Sequence, residues 1–104
     1  MTRNFFEERG VKLPDLYEQE NERNPVAHAH FIKETTDGRT WDWFVLEGRV
    51  QEDGDMLLFG LVSAMDKELG YFTLMQLASI GAGFDEDFEP VGVYDIYDDF
   101  DLRR

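Results

Sequence analysis

The stretch WDWFVLEGRVQEDGDMLLFGLVSAM, residues 41–65, decides the fold predicted for this chain. It contains two apolar runs, 41–50 and 56–65, which are separated by the polar residues 51–55. Runs rich in Trp, Phe, Val and Leu between turn residues predict strands, and the pair Asp53-Gly54 predicts a tight turn. Because so short a link favours antiparallel neighbours, the stretch predicts a β-hairpin.

Both faces of these two strands carry apolar side chains. Successive strand residues point to opposite faces. In the first strand, one face therefore carries Trp41, Trp43 and Val45, and the other carries Phe44 and Leu46. In the second strand, one face carries Leu58 and Val62, and the other carries Leu57, Phe59 and Leu61. Two short helices can cover one face only. We expect the other to be covered by the N-terminal arm, by the C-terminal tail or by a second molecule, so an apolar interface around Trp41 and Trp43 is one prediction.

Further strands are predicted on either side of the hairpin. Residues 26–34 predict a strand that precedes it, joined through a turn at Asp37-Gly38. After a turn at 66–68, residues 70–72 resume extended structure, and one more extended segment follows from Phe84.

Two helices are predicted. The first covers 13–24 and ends at the Asn24-Pro25 pair; Leu13, Leu16, Tyr17 and Glu20 would share one face. The second begins after Thr73, where Gln76 completes a capping box, and ends at Gly81. Its apolar side would consist of Leu74, Leu77, Ala78 and Ile80.

The predicted architecture is therefore α+β: a small, mostly antiparallel sheet of about four strands with two short helices. Its 104 residues fit a single domain. Residues 1–12 form an N-terminal arm that docks through Phe5 and Phe6, and residues 93–104 form an acidic tail. Since no run is long enough to span a bilayer and no secretion signal is recognisable, a cytoplasmic protein is expected.

The chain is strongly acidic. Its 23 acidic and 10 basic residues give a formal net charge of -13, which argues against direct contact with nucleic acid or anionic membrane. Cysteine is absent, which excludes disulfides and thiolate zinc sites. The charge fits a basic protein partner, binding of divalent cations, a role in solubility, or adaptation to salt.

The order of several segments is familiar: LPDLYE at 13–18, AHAHF at 27–31, TWDWFV at 40–45, FGLV at 59–62, ELGYFTL at 68–74 and DFEP at 87–90. From about residue 13 to residue 92 the chain resembles a bacterial and phage family known as domain of unknown function 2958. The resemblance implies a role in the biology of mobile elements, including interference with host defence. It implies no catalytic residue, and the arginine-bearing loop usual in the family is shortened here to 81–84.

His28 and His30 are the chain's two histidines, and they lie two apart on a predicted strand. Two imidazoles on one face could bind a metal ion if a carboxylate joined them; the alternative is a pair of structural histidines. Acidic residues are too abundant to single out a general acid and base, and no arrangement indicates a nucleophile. We therefore predict a non-enzymatic protein without a cofactor, and a metal-dependent enzyme is the minor alternative.

The excess of acidic over basic residues is concentrated in the C-terminal third, because no basic residue stands between Lys67 and Arg103. The predicted contact residues for a basic partner are Asp85, Glu86, Asp87, Glu89, Asp95, Asp98 and Asp99. On a strand, Asp85, Asp87 and Glu89 would lie on one face at intervals of about 6.7 Å. That spacing predicts a DNA or RNA mimic that inhibits a nucleic-acid-targeting host protein; the main alternative is an adaptor or homodimer that acts through an apolar sheet face.

Overall fold

The computed structural model describes the backbone of residues 2–97 and the side chains of residues 5–97. Their elements are, in chain order, α1 (Thr2–Glu7), β1 (Val26–Ala27), β2 (Ala29–Glu34), β3 (Thr40–Val50), β4 (Met56–Ser63), β5 (Lys67–Thr73), α2 (Leu74–Ser79), β6 (Gly83–Phe84), β7 (Val91–Gly92) and a 3₁₀ helix (Val93–Asp95). In this part of the chain, neither α-helix is long and apolar enough to cross a membrane.

The main sheet has five strands in the order β5-β4-β3-β2-β6, and every pairing in it is antiparallel. A second, two-stranded sheet pairs β1 with β7. The predicted α+β class, the antiparallel sheet and two short helices are confirmed, although the first helix lies elsewhere than predicted. The two-residue strands β6 and β7 are too short to leave a pattern in the sequence.

The predicted hairpin is confirmed as β3 and β4, which lie in the middle part of the sheet. Its register pairs Val45 with Gly60 but Glu47 with Phe59, so β3 contains a bulge at Leu46. The turn glycine Gly54 has a positive φ of 88°, a backbone conformation that residues other than glycine rarely adopt.

Each face of the sheet carries its own apolar core. The first-face core takes Phe31, Trp43, Val45, Leu58 and Phe72 from the strands, together with Phe6, Leu74 and Leu77 from the helices. The second-face core takes Phe44, Leu46, Phe59 and Leu61 from the strands, together with Leu16, Ala27 and Val93. The predicted division of the β3 and β4 side chains between two faces is thus confirmed.

The chain's own segments cover both faces. On the first face, α1 and α2 supply the cover, and the predicted docking of Phe5 and Phe6 is confirmed: Phe6 is 2% exposed. Burying a phenylalanine contributes about 2–3 kcal/mol, which helps to hold a six-residue helix that is marginal alone. On the second face, Leu16 and the segment 88–97 supply the cover.

The predicted helix at 13–24 is wrong, because this segment consists of turns and irregular backbone. Tyr17 has a φ of 72°, which no right-handed helix contains. Glu47, fully buried at the β3 bulge, accepts hydrogen bonds from the backbone N–H groups of Tyr17 and Gln19, at 2.8 Å each. These N–H groups would otherwise serve the helix.

The predicted strand at 26–34 is interrupted at His28. Ala27 packs in the second-face core and Ala29 in the first-face core, although residues two apart in one strand share a face. At this break, the backbone N–H of His28 donates to the carbonyl oxygen of Val45 at 2.8 Å.

The second predicted helix is confirmed with its capping box. Thr73 Oγ1 accepts from the N–H of Gln76 at 3.1 Å, and Gln76 Oε1 accepts from the N–H of Thr73 at 2.9 Å. Leu74 and Leu77 are buried as expected, whereas Ala78 and Ile80 are exposed.

Candidate interaction site

Residues 85–89, four of which are acidic, form a turn that we call the acidic turn. It leaves the sheet where β6 ends, and the N–H of Asp85 donates to the carbonyl oxygen of His30 at 2.9 Å. The Asp85 carboxylate then accepts from the N–H of Asp87 at 3.1 Å. The predicted extended segment from Phe84 is therefore wrong, and with it the spacing of Asp85, Asp87 and Glu89 along one strand face. An aspartate that bonds to the backbone two residues on closes a turn in place of a strand.

His30 anchors this turn to the sheet. Its Nδ1 lies 2.9 Å from Asp85 Oδ2, and its Nε2 lies 2.7 Å from Asp42 Oδ1 on β3. His30 is 8% exposed. Its ring stacks on that of Phe44, with the centroids 4.6 Å apart and the planes at 10° to each other. Phe88, at the far end of the turn, packs against the same ring with centroids 5.5 Å apart.

The contact with His30 also favours the ionised form of Asp85. The hydrogen bond from His30 is the main reason why the pKa of the Asp85 carboxyl is lowered from its ordinary value, while partial burial opposes the shift. His30 therefore acts as an anchor for Asp85 and Asp42.

The histidines do not come together as a metal site. His28 lies in the break between β1 and β2, where burial lowers the pKa of its ring. Both ring nitrogens of His30 already contact carboxylates. Among residues 5–97, no three His, Cys, Asp or Glu side chains are grouped so that they could hold a metal ion.

The predicted acidic contact residues fall into three groups. Asp85 is half-buried as the anchor, whereas Glu86, Asp87 and Glu89 are exposed on the acidic turn. Asp95 lies on the 3₁₀ helix, where its carboxylate accepts from the Asn24 side-chain amide at 3.2 Å. Asp98 and Asp99, with most of the predicted tail, lie outside the described residues. Of that tail, residues 93–97 pack on the second-face core.

The two tryptophans proposed as an apolar interface differ in exposure. Trp43 is 5% exposed and belongs to the first-face core, so its ring is not available to a partner. Trp41 is 38% exposed, and the two ring centroids lie 6.1 Å apart.

An apolar groove lies beside the acidic turn, between α1, α2 and β6. It encloses about 590 Å³, and its lining residues are Phe5, Arg9, Phe31, Leu74, Met75, Ala78, Ala82, Phe84 and Glu86. The sequence indicates only part of this groove, because Phe5 and Phe84 are aromatic residues that lie next to charged residues. It does not indicate the groove itself, since four separate segments form it.

No family model, curated protein or solved structure matches this chain. The resemblance to the phage and bacterial family remains an expectation from the sequence.

Proposed function

We propose that this chain is a binding protein that inhibits a nucleic-acid-binding host protein by occupying its basic surface with the acidic turn. The observation that supports this most directly is the asymmetry within the turn. Asp85 is held by His30 at 2.9 Å, whereas its neighbours Glu86, Asp87 and Glu89 are exposed. The turn thus presents three exposed carboxylates in one place.

The distribution of charge supports the same proposal. No Lys or Arg occurs between positions 68 and 97, so the negative charges in this part of the sequence are not interleaved with positive ones. A concentrated negative field accelerates association with a basic surface, and salt weakens it. Because the carboxylates lie on a turn, the mimicry rests on local negative charge and not on the regular repeat of a phosphate backbone.

His30 supports a binding role over an enzymatic one. Both of its ring nitrogens are occupied by Asp42 and Asp85, so in this arrangement it has no free nitrogen to exchange a proton with a substrate. The resemblance to a mobile-element family is the reason to look for the partner among host defence proteins.

The test is capture from bacterial lysate by the immobilised chain at about 50 mM and 500 mM salt. A variant with Glu86→Gln, Asp87→Asn and Glu89→Gln removes three charges from the acidic turn and leaves the Asp85 anchor intact. A control variant with Glu20→Gln, Glu22→Gln and Glu52→Gln removes three exposed charges elsewhere. We expect a nucleic-acid-binding protein to be captured at low salt by the wild type and the control, and not by the turn variant.

The captured protein is then assayed for DNA and RNA binding with and without the chain. Inhibition by the wild type and the control, and not by the turn variant, is the expected result. Equal capture by the two variants would show that total charge and not the acidic turn determines binding, and the proposal would be wrong.

A further inference from the structure

We propose that the apolar groove binds one bulky apolar side chain of the same basic partner, and that a neighbouring Lys or Arg of the partner contacts Glu86. This inference rests on the proposed function, because it adds an apolar anchor to the charged contact. Charge alone gives a fast but weakly selective encounter, whereas a buried anchor contributes most of the affinity of typical interfaces.

The lining of the groove has the chemistry of an anchor pocket. Seven of its nine residues are apolar, and they come from α1, β2, α2 and β6 with the residue before it. Three of the lining residues, Phe5, Phe31 and Phe84, hold one another in place, because their ring centroids lie 5.3–5.9 Å apart. At its rim, Met75 is 61% exposed, and methionine adapts readily to different partner side chains.

The groove has two charged lining residues, Arg9 and Glu86, which differ in their contacts. Arg9 donates to the carbonyl oxygen of Phe5 at 2.8 Å, lies 3.8 Å from the centre of the Phe5 ring and is 3.9 Å from the Glu8 carboxylate. Glu86, in contrast, is exposed and continues directly into Asp87 of the acidic turn. The groove therefore continues into the acidic turn at Glu86, where a cation of the partner beside the anchor would meet negative charge.

The net charge decides between the possible occupants. A second copy of this chain would bring a further net charge of -13 to the acidic turn beside the groove, and like charges at an interface oppose association. A basic partner meets attraction at the same place. We therefore assign the groove to a partner of opposite charge.

The test uses two fluorescently labelled pentapeptides, one with a tryptophan between two pairs of lysines and one with alanine in its place. Binding is measured by anisotropy at about 50 mM salt. We expect the tryptophan peptide to bind about tenfold more tightly. Met75→Gln should remove most of this preference and leave the binding of the alanine peptide unchanged.

Met65→Gln is the matched control, because Met65 is 79% exposed and lies outside the groove. It makes the same chemical change and should retain the full preference for tryptophan. Circular dichroism of both variants shows whether they remain folded.

Three outcomes would overturn the inference. These are equal binding of the two peptides, an equal effect of Met65→Gln and Met75→Gln, and a homodimer that sedimentation detects in the wild type but not in Met75→Gln.

The proposed function is tested separately by the acidic-turn variant. If that variant binds both peptides like the wild type while Met75→Gln removes the tryptophan preference, the apolar anchor stands, and the Glu86 contact and the role of the acidic turn are both wrong. If that variant loses both peptides while the wild type shows no tryptophan preference, the acidic turn stands and the apolar anchor is wrong.

Discussion

At the scale of single residues, the interaction site depends on one histidine between two carboxylates. His30 lies on β2, Asp42 on β3, and Asp85 directly after β6, so the contact joins three strands of the sheet. Hydrogen bonds that involve a charged group contribute about 1.5–3 kcal/mol when sheltered from water. The Asp85 side chain is 33% exposed, so solvent screening reduces its share to about 1 kcal/mol.

Asp85→Asn should lower the free energy of unfolding by about 1 kcal/mol near pH 6, because the neutral amide loses the charged contact with His30. The pKa of Asp85 is lower in the folded chain than its ordinary value of 3.8. Its contribution to stability is therefore complete above that value and disappears as pH falls through the lowered pKa. The difference between wild type and variant should close in acid.

Urea unfolding at about pH 6, 4 and 3 measures this difference. Asp87→Asn on the same turn is the control, since its carboxylate is exposed, and it should change stability by less than about 0.5 kcal/mol at each pH. A difference that persists unchanged at the lowest pH would show that the loss comes from packing and not from the Asp85 charge.

The residues of the site show how far sequence alone could predict it. The concentration of acids at 85–89 is visible in the chain, and so is a histidine in a strand. Their contact is not visible, because Asp85 is 55 residues from His30 and only the β2–β6 pairing brings them together. Asp42 was missed for the same kind of reason: it is the histidine's neighbour on β3 through the sheet register, which the β3 bulge does not disturb at that point.

At the scale of secondary structure, the sequence predicts elements that depend on local contacts, and it fails where a distant residue competes for the same backbone groups. The capping box of α2 lies within four residues, so the sequence contains all its partners. The segment 13–24 has helical periodicity, but Glu47, 28 and 30 residues away, bonds to two of its backbone N–H groups. A buried carboxylate requires such donors, and this requirement outweighs a weak helical preference.

Two glycines in the β4–β5 pairing provide a direct test of how closely β4 packs against β3. Gly60 and Gly70 lie opposite each other in the register. A Cβ on Gly60 would lie 2.9 Å from the carbonyl carbon of Phe44 and 3.1 Å from the Cα of Val45, both of them backbone atoms of β3. A Cβ on Gly70 would meet nothing within 4 Å.

Gly60→Ala should therefore destabilise the chain by at least about 3 kcal/mol, because β3 and β4 would have to separate at the centre of the sheet. Gly70→Ala should change stability by less than about 0.5 kcal/mol. Denaturant unfolding of both variants measures the two values. Equal effects would show that the loss reflects the conformational preference of glycine and not the close approach of β3.

At the scale of the whole molecule, the excess of acidic residues acts against the fold as well as for a partner. The net charge is -13, and the described Arg–carboxylate pairs, Arg9–Glu8, Arg39–Asp37 and Arg49–Asp15, join groups that are mostly exposed. Solvent screens exposed pairs of this kind, so they add little to the stability of the fold. The described residues extend 37 × 34 × 24 Å, so at low salt most of the acidic groups repel one another across the molecule.

Raising the salt concentration should therefore stabilise the free chain while it weakens partner binding. Between about 10 mM and 100 mM NaCl the Debye length falls from about 30 Å, close to the molecular dimensions, to about 10 Å. We expect the melting temperature at neutral pH to rise by about 4–8 °C, which corresponds to about 1 kcal/mol for a domain of this size. Tetramethylammonium chloride at the same concentrations should give the same rise if screening is the cause, whereas a rise with NaCl alone would indicate bound sodium. A melting temperature that falls with salt would mean that ion pairs outweigh repulsion, and the acidic residues would then have to be regarded as part of the fold's own stabilisation and not as a surface kept for a basic partner.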